Sequence, residues 1–185
     1  MKKTNLGKCA TYINGYAFKP VDWKKKGIPI IRIQDLTGST GNSNYFQGKI
    51  DEKYLVNNGD ILVSWSGSIG VYEWNKGPAY LNQHIFKVNF NKEDIDKKYF
   101  IYLIKSKIDE MKKNTHGSTM RHITKADFDK LEVNLHDITE QKIISNKLEK
   151  IQRLIEAKKK QILSLNDLIK SQFVEYAIFK KLGVA

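Results

Sequence analysis

The sequence predicts an α/β (α+β) chain: a mixed domain over residues 1–136 with a twisted β-sheet core and flanking helices, then a long coiled-coil helix over residues 137–181. Three observations predict this. β-branched runs punctuated by glycine and asparagine fill the segment from Gly27 into the seventies. The apolar period changes from two to that of a helix between Ile95 and Lys113. From Thr139 to about Phe179 a heptad stripe runs through Ile144, Leu148, Ile151, Ile155, Ile162, Leu165, Ile169 and Tyr176.

In chain order, Ile28–Ile33 reads as a strand, and Thr37–Gly48 as a polar, glycine-punctuated loop too long for a hairpin turn. Asn57-Asn58-Gly59-Asp60 signals a turn before a strand from Asp60 to Trp65, which Ser66-Gly67-Ser68-Ile69-Gly70 closes with small residues. Ile85–Phe90 alternates as a strand. A helix over Ile95–Lys113 comes next, then a loop from Asn114 to Arg121, a short helix at Lys125–Lys130 and a strand at Leu131–Leu135. Asp137 with Glu140 three residues later has the form of a capping box that opens the long helix.

That helix, at about 1.5 Å per residue, spans roughly 60 Å, more than one small domain can cover with its own core. Its stripe therefore calls for a partner helix. Lys158 and Gln172 occupy seam positions, where buried polar groups fix register, while Leu154, Leu163, Leu168 and Phe173 widen the stripe on one side. A helix folded back on its own domain is the alternative.

Composition bounds the function. Residues 1–136 carry 22 basic and 14 acidic side chains, a net +8, and the remainder 10 and 6, a net +4. Both parts are basic and favour a polyanionic partner, because each phosphate neutralised by Lys or Arg releases counterions. No secretory segment and no apolar run of about 20 residues is present, so no membrane role is expected and a cytoplasmic location is. Cys9 stands alone, which excludes a disulfide framework or a cysteine zinc site within one chain.

Catalytic chemistry is not evident. Six residues separate Gly41 from Gly48, where a phosphate-binding loop needs four, and Ile50 stands where Ser or Thr belongs. Asp94 or Asp96 with Glu110 and Lys112 has the form of a magnesium nuclease set, a spacing that arises readily by chance in a charged helix. His84, His116, His122 and His136 lack the spacing of a helical metal pair. No enzyme, cofactor or metal is expected.

Two loops have the composition of DNA-contacting segments. Lys112 and Lys113, with Arg121, are the candidate phosphate-facing cations; Thr115, His116, Ser118, Thr119 and His122 can contact bases or backbone, and Gly117 allows close approach. Ser66 and Ser68 offer hydroxyls of the same kind, although small residues there also serve turn geometry. Tyr45 and Gln47, in the long polar loop, can also reach bases.

A resemblance covers nearly the whole chain. Leu6-Gly7-Lys8, Asn14-Gly15-Tyr16-Ala17-Phe18-Lys19 and Gly27-Ile28-Pro29-Ile30-Ile31-Arg32-Ile33-Gln34-Asp35-Leu36 resemble the opening of a target-recognition domain of type I restriction-modification specificity subunits. Gly59-Asp60 with the adjoining strand and loop to Gly70 is similar to a family element, as are Leu81-Asn82-Gln83-His84-Ile85, Gly117-Ser118-Thr119 to His122-Ile123, and Glu140-Gln141. One departure is Val133–Ile138, where the family has a proline-rich turn. The Asn82-Gln83-His84 trio can equally be an internal hydrogen-bond cluster.

Full-length members of that family carry two recognition domains and two long helices, so this chain resembles a half subunit. The resemblance implies a DNA sequence-recognition subunit without catalysis. Its partners are double-stranded DNA, a methyltransferase (modification) subunit and, through it, the restriction subunit. Two copies paired through antiparallel helices, along Ile144, Leu148, Ile151, Ile155, Ile162, Leu165 and Ile169, would form a homodimer. A coiled-coil interaction adaptor with a basic nucleic-acid-binding domain is the alternative, and a metal-dependent nuclease a third reading.

Overall fold

A computed structural model describes residues 1–38, 44–116 and 121–181. The chain divides into two compact units, Met1–Lys142 and Ile143–Ala185.

The first unit holds three sheets. Strands β1 (Lys2–Asn5) and β10 (Glu132–Leu135) pair antiparallel and join the two ends of the unit. An antiparallel sheet in the order β2-β9-β6-β7 contains β2 (Thr11–Asn14), β6 (Ile61–Ser64), β7 (Gly70–Glu73) and β9 (Ile85–Asn89). A mixed sheet in the order β4-β3-β8-β5 contains β3 (Ile28–Ile31), β4 (Asn44–Phe46), β5 (Leu55–Val56) and β8 (Ala79–Leu81), with β3 and β8 parallel.

Strand β6 ties these layers together because successive side chains point to opposite faces. Ile61 and Val63 enter a core with Leu6, Tyr12, Phe86, Phe100, Ile104 and Phe128, whereas Leu62 enters a second core with Ile31, Val56, Trp74 and Leu81. All four β6 residues are buried, so the continuous apolar run is what a strand covered on both faces requires.

The first core is roofed by helices: α1 (Leu6–Cys9), α3 (Lys97–Lys113) and α4 (Lys125–Lys130). In α3 the buried residues Phe100, Ile104 and Met111 repeat at steps of four and seven, one face of a helix. Asp96 caps it, its carboxylate accepting the Tyr99 N–H at 2.8 Å. Tyr12 and Phe128 meet edge to face at 4.7 Å within this core. Gly15 lies just past β2 where backbones touch: Tyr16 N donates to the Leu81 carbonyl at 2.7 Å, and a Cβ on Gly15 would collide with the Asn82 carbonyl.

The long helix α5 spans Ile138–Lys181, 44 residues. The capping expectation holds, since Asp137 Oδ1 accepts the N–H groups of Thr139 and Glu140 at 3.0 and 2.9 Å. Those bonds, that from Glu140 foremost, hold its carboxyl below the usual range. Gln141, 1% exposed, fastens the start of the helix within the first unit. Its Nε2 donates to the carbonyls of Asp94 (3.1 Å) and His136 (2.8 Å), and its Oε1 accepts the Asp96 N–H at 2.9 Å. In the second unit Ile151, Ile155, Ile162, Leu165 and Ile169 are 43–66% exposed. Among the described residues no helix is long and apolar enough to cross a membrane.

Three sequence expectations need correction. The strand over Ile28–Ile33 ends at Ile31, because Asp35 Oδ2 accepts the Arg32 N–H at 2.8 Å and starts the short helix α2 (Ile33–Thr37). The segment Thr37–Gly48 is not loop throughout: Asn44–Phe46 forms β4 against Ile28–Ile30. The nuclease set is dispersed. Asp96 caps one end of α3, and Glu110 lies fourteen residues on, about 20 Å along the helix, bonded to Lys107 at 2.8 Å. No single metal ion can bridge them. The elements β1, α1, β2, β7 and β8 have no counterpart among the expectations drawn from sequence.

Replacing Gln141 by Ala strands one buried donor and two buried acceptors, each worth about 1–3 kcal/mol when unsatisfied if water does not reach it. A net loss of about 2–3 kcal/mol corresponds to a fall in melting temperature of roughly 4–12 °C. An unchanged melt by circular dichroism would remove Gln141 as the anchor.

Candidate nucleic-acid interface

Register alone brings several chain ends to one edge of the first unit. Asn14 lies opposite Phe86, Ser64 opposite Ile85, and Ile31 beside Leu81, so β2, β3, β6 and β8 all finish where β9 begins. The residues just past those strand ends are largely polar or small: Gly15-Tyr16, Arg32, Trp65-Ser66-Gly67-Ser68 and Asn82-Gln83-His84.

A second segment is stitched onto this edge. Ser66 and His122 form an antiparallel bridge, Gly67 N donates to the Arg121 carbonyl at 2.9 Å, and Ile123 N donates to the Trp65 carbonyl at 3.0 Å. His116 and His122 pair in turn, N–H to carbonyl in both directions at 2.8 and 3.0 Å. His116 and His122, the hairpin mouth, are therefore held together against the end of β6. The two segments read separately from composition, Ser66–Gly70 and Thr115–His122, meet here.

Trp65 is the base of the arrangement. Its indole stacks on Phe86 at 5.8 Å and 27°, His84 leans on it at 5.5 Å, and His122 meets it edge-on at 6.1 Å. Its Nε1 donates to Asn14 Oδ1 at 3.1 Å. Trp65 joins a core residue below to two half-buried histidines above. His116 is held from the side: its Nε2 lies 3.4 Å from Asp127 Oδ2, which also accepts the Thr124 hydroxyl at 2.7 Å. The Thr124 bond, then His116, keeps the Asp127 carboxyl below its ordinary range.

The cations sit beside the loop. Lys112 and Lys113 form the last turn of α3, and Thr115 Oγ1 donates back to the Lys112 carbonyl at 2.8 Å, which fixes the turn leading to His116. Lys112, Lys113 and Arg121 are exposed and form no ion pair among the described residues. A turn earlier, Lys107 is paired with Glu110. Backbone amides, imidazoles and unneutralised cations together make a surface suited to phosphate and base-edge contact.

The remaining sequence candidates divide. Ser68 is exposed, while Ser66 is 1% exposed and does not present its hydroxyl to a ligand in this conformation. Gly117, Ser118 and Thr119 lie outside the described residues. Tyr45 and Gln47 are not part of the hairpin: Tyr45 belongs to β4 and exchanges backbone hydrogen bonds with Lys24 at 2.8 and 3.1 Å. Trp65, His84, Asn14 and Asp127 have supporting positions that composition does not reveal, although Asn82-Gln83-His84 stands out by its compact polarity. That trio is partly internal, with His84 N near Asn82 Oδ1 (3.4 Å) and the His84 carbonyl accepting the Trp65 N–H at 3.3 Å.

Known proteins share this architecture. Residues 1–166 match the family model described as the type I restriction modification DNA specificity domain. The type I restriction enzyme EcoBI specificity subunit of Escherichia coli is 31% identical over 125 residues, 66% of this chain and 26% of that protein. Among solved structures, the type I restriction-modification S subunit of M. genitalium aligns over 84% of this chain and 40% of its own, with a TM-score of 0.62 and 21% identity. The HsdS subunit of Thermoanaerobacter tengcongensis aligns over 84% and 38%, with a TM-score of 0.63 and 18% identity. The chain thus spans about a quarter of the curated relative and about two fifths of the solved chains; the structural likenesses establish the fold.

His84 yields a prediction for stability against pH. Burial, and secondarily the His122 charge, hold its imidazole below the ordinary 6.5, so the folded chain favours neutral His84. A depressed folded value means that the unfolded chain binds the proton first. Its contribution is fully present above 6.5 and is lost as pH falls through the depressed folded value. In melts taken from neutral to mildly acid pH, His84→Gln reduces this decline; an identical decline in the variant contradicts the assignment.

Proposed function

The chain belongs to the type I restriction modification DNA specificity domain family, and from that premise we propose that it is a non-catalytic DNA sequence-recognition module of a type I restriction-modification system. In this reading residues 1–136 are a target-recognition domain and residues 137–181 a spacer and dimerisation helix. The observation that carries it is the joining of the His116–His122 mouth to the end of β6, which gathers Ser68, His116, Arg121 and His122 beside Lys112 and Lys113.

The recognition chemistry divides by residue type. Lys112, Lys113 and Arg121 neutralise phosphates and set affinity, whereas the loop between His116 and His122, with Ser68, reaches base edges and sets sequence preference. Loops on a rigid edge suit that task, since their sequence can change the bases read without altering the sheets behind them.

Helix α5 supplies spacing and partners. Half-exposed Ile151, Ile155, Ile162, Leu165 and Ile169, together with Ile144 and Leu148, form the seam for a second copy in antiparallel orientation. Burying the remaining half of the five exposed side chains on each of two chains yields roughly 10 kcal/mol, inside the association cost of about 4–15 kcal/mol. The seam alone is marginal. The widened flank of Leu154, Leu163, Leu168 and Phe173, 55–72% exposed, supplies further apolar area to the pair or to the methyltransferase subunit, through which a restriction subunit is recruited. The target in this reading is a palindromic, bipartite site.

The experiment is binding to duplex DNA across a range of salt concentrations. Lys112→Gln with Lys113→Gln weakens binding for all sequences alike and flattens the slope of log affinity against log salt by about two. An unchanged slope would place the DNA surface elsewhere.

A further inference from the structure

Tyr45 and Gln47 are left unused by the hairpin, and their surroundings explain why. Tyr45 pairs through its backbone with Lys24, and Gly27, at φ +128°, packs so closely on β4 that a Cβ there would meet the Phe46 carbonyl and come 3.1 Å from Gln47 Cγ. The run from Trp23 to Gly27 is thereby pressed against β4, and Gln47-Gly48-Lys49 comes directly after that strand. Between residues 19 and 26 four lysines stand against one acid, Asp22, whose carboxylate accepts the Lys19 N–H at 2.7 Å.

The side chains on this tab are sorted. Lys24 Nζ donates to the Val21 carbonyl at 3.0 Å and holds the turn. Lys25, Lys26 and Lys49 are exposed and form no ion pair among the described residues. Trp23 is 43% and Val21 72% exposed; with Met1 they are the exposed large apolar residues described in the first unit. Elsewhere in that unit several lysines are consumed by the fold: Lys76, Lys87, Lys92 and Lys97 each donate to a backbone carbonyl within 3.2 Å. Unspent ammonium groups on the same tab as an exposed indole match a sugar-phosphate backbone, where a cation meets each phosphate.

We propose that Trp23, Lys25, Lys26 and Lys49 form a second grip on duplex DNA, holding phosphates outside the stretch under the His116–His122 hairpin. This rests on the DNA-recognition reading above. Strand β3 starts beside the tab at Ile28 and ends at Ile31, on the edge that carries the hairpin. Its three steps at about 3.3 Å offset the two surfaces by roughly 10 Å along β3. One strand of B-DNA presents a phosphate about every 3.4 Å along the axis, so a tab offset by that much meets phosphates other than those at the hairpin. Lysines there supply affinity without sequence preference.

The test uses the full chain with Lys25→Gln, Lys26→Gln and Lys49→Gln combined, titrated by fluorescence anisotropy against a labelled duplex of mixed sequence between about 50 and 200 mM salt. The slope of log affinity against log salt becomes shallower by about 2–3, while the thermal melt is unchanged. A slope equal to that of the unaltered chain overturns the second grip alone, provided that Lys112→Gln with Lys113→Gln still flattens it. Failure of the unaltered chain to bind any duplex overturns the DNA-recognition reading and this inference with it.

Discussion

The candidate interface depends on a short piece of backbone pairing between segments more than fifty residues apart. Trp65, Ser66 and Gly67 leave β6 and are matched by Arg121, His122 and Ile123, with N–H groups given in both directions. This pairing holds Arg121 and His122, and through His122 its partner His116, against the end of β6. Because β6 is buried on both faces, these residues stand on a strand held from both sides. Trp65 transmits that constraint outward, stacked on Phe86 within and touched by His84 and His122 without.

Charge is organised by the same economy. A net +12 could spread a uniform field over the surface, yet many lysines are tied down. Lys87 reaches the Leu55 carbonyl at 2.6 Å and Asp60 at 3.4 Å, and Lys97 reaches the Gly59 carbonyl at 2.7 Å, so these ammonium groups brace loops. Among those left unspent are Lys112 and Lys113 at the end of α3 and Lys25 and Lys26 on the tab before β3. Gln141 serves a structural purpose, joining the first turn of α5 to the approach to α3 through two hydrogen bonds, with a third to the His136 carbonyl. The Glu140-Gln141 pair lies in the first turn of α5, at the end of the first unit.

Elements with a long period were legible in the sequence: α3, α4, α5 and its Asp137 cap, and the runs that became β6, β9 and β10. Their signal is a repeated choice between apolar and polar. The equally short β1, β2, β7 and β8 were not, because they owe their existence to pairing rather than to local preference. Strand β4 was hidden in a polar loop for the same reason, since Asn44–Phe46 is extended only by its contact with Ile28–Ile30. Composition singled out Thr115–His122 and Ser66–Gly70 but could not show that they meet; their junction is a fact of topology. Likewise Ser66 looked available in sequence and proved buried, and Tyr45 and Gln47 turned out to adjoin Lys24–Gly27 instead of the hairpin.

The central claim is that a recognition unit reads one half-site while its helix brings a second copy to the other. Mapping methylated bases across the genome of a host that carries this chain with its methyltransferase tests it most directly. The account predicts one palindromic motif, two identical short half-sites around a spacer of fixed length. An asymmetric motif would contradict the symmetric pair, and a methylation pattern independent of the chain would contradict recognition itself.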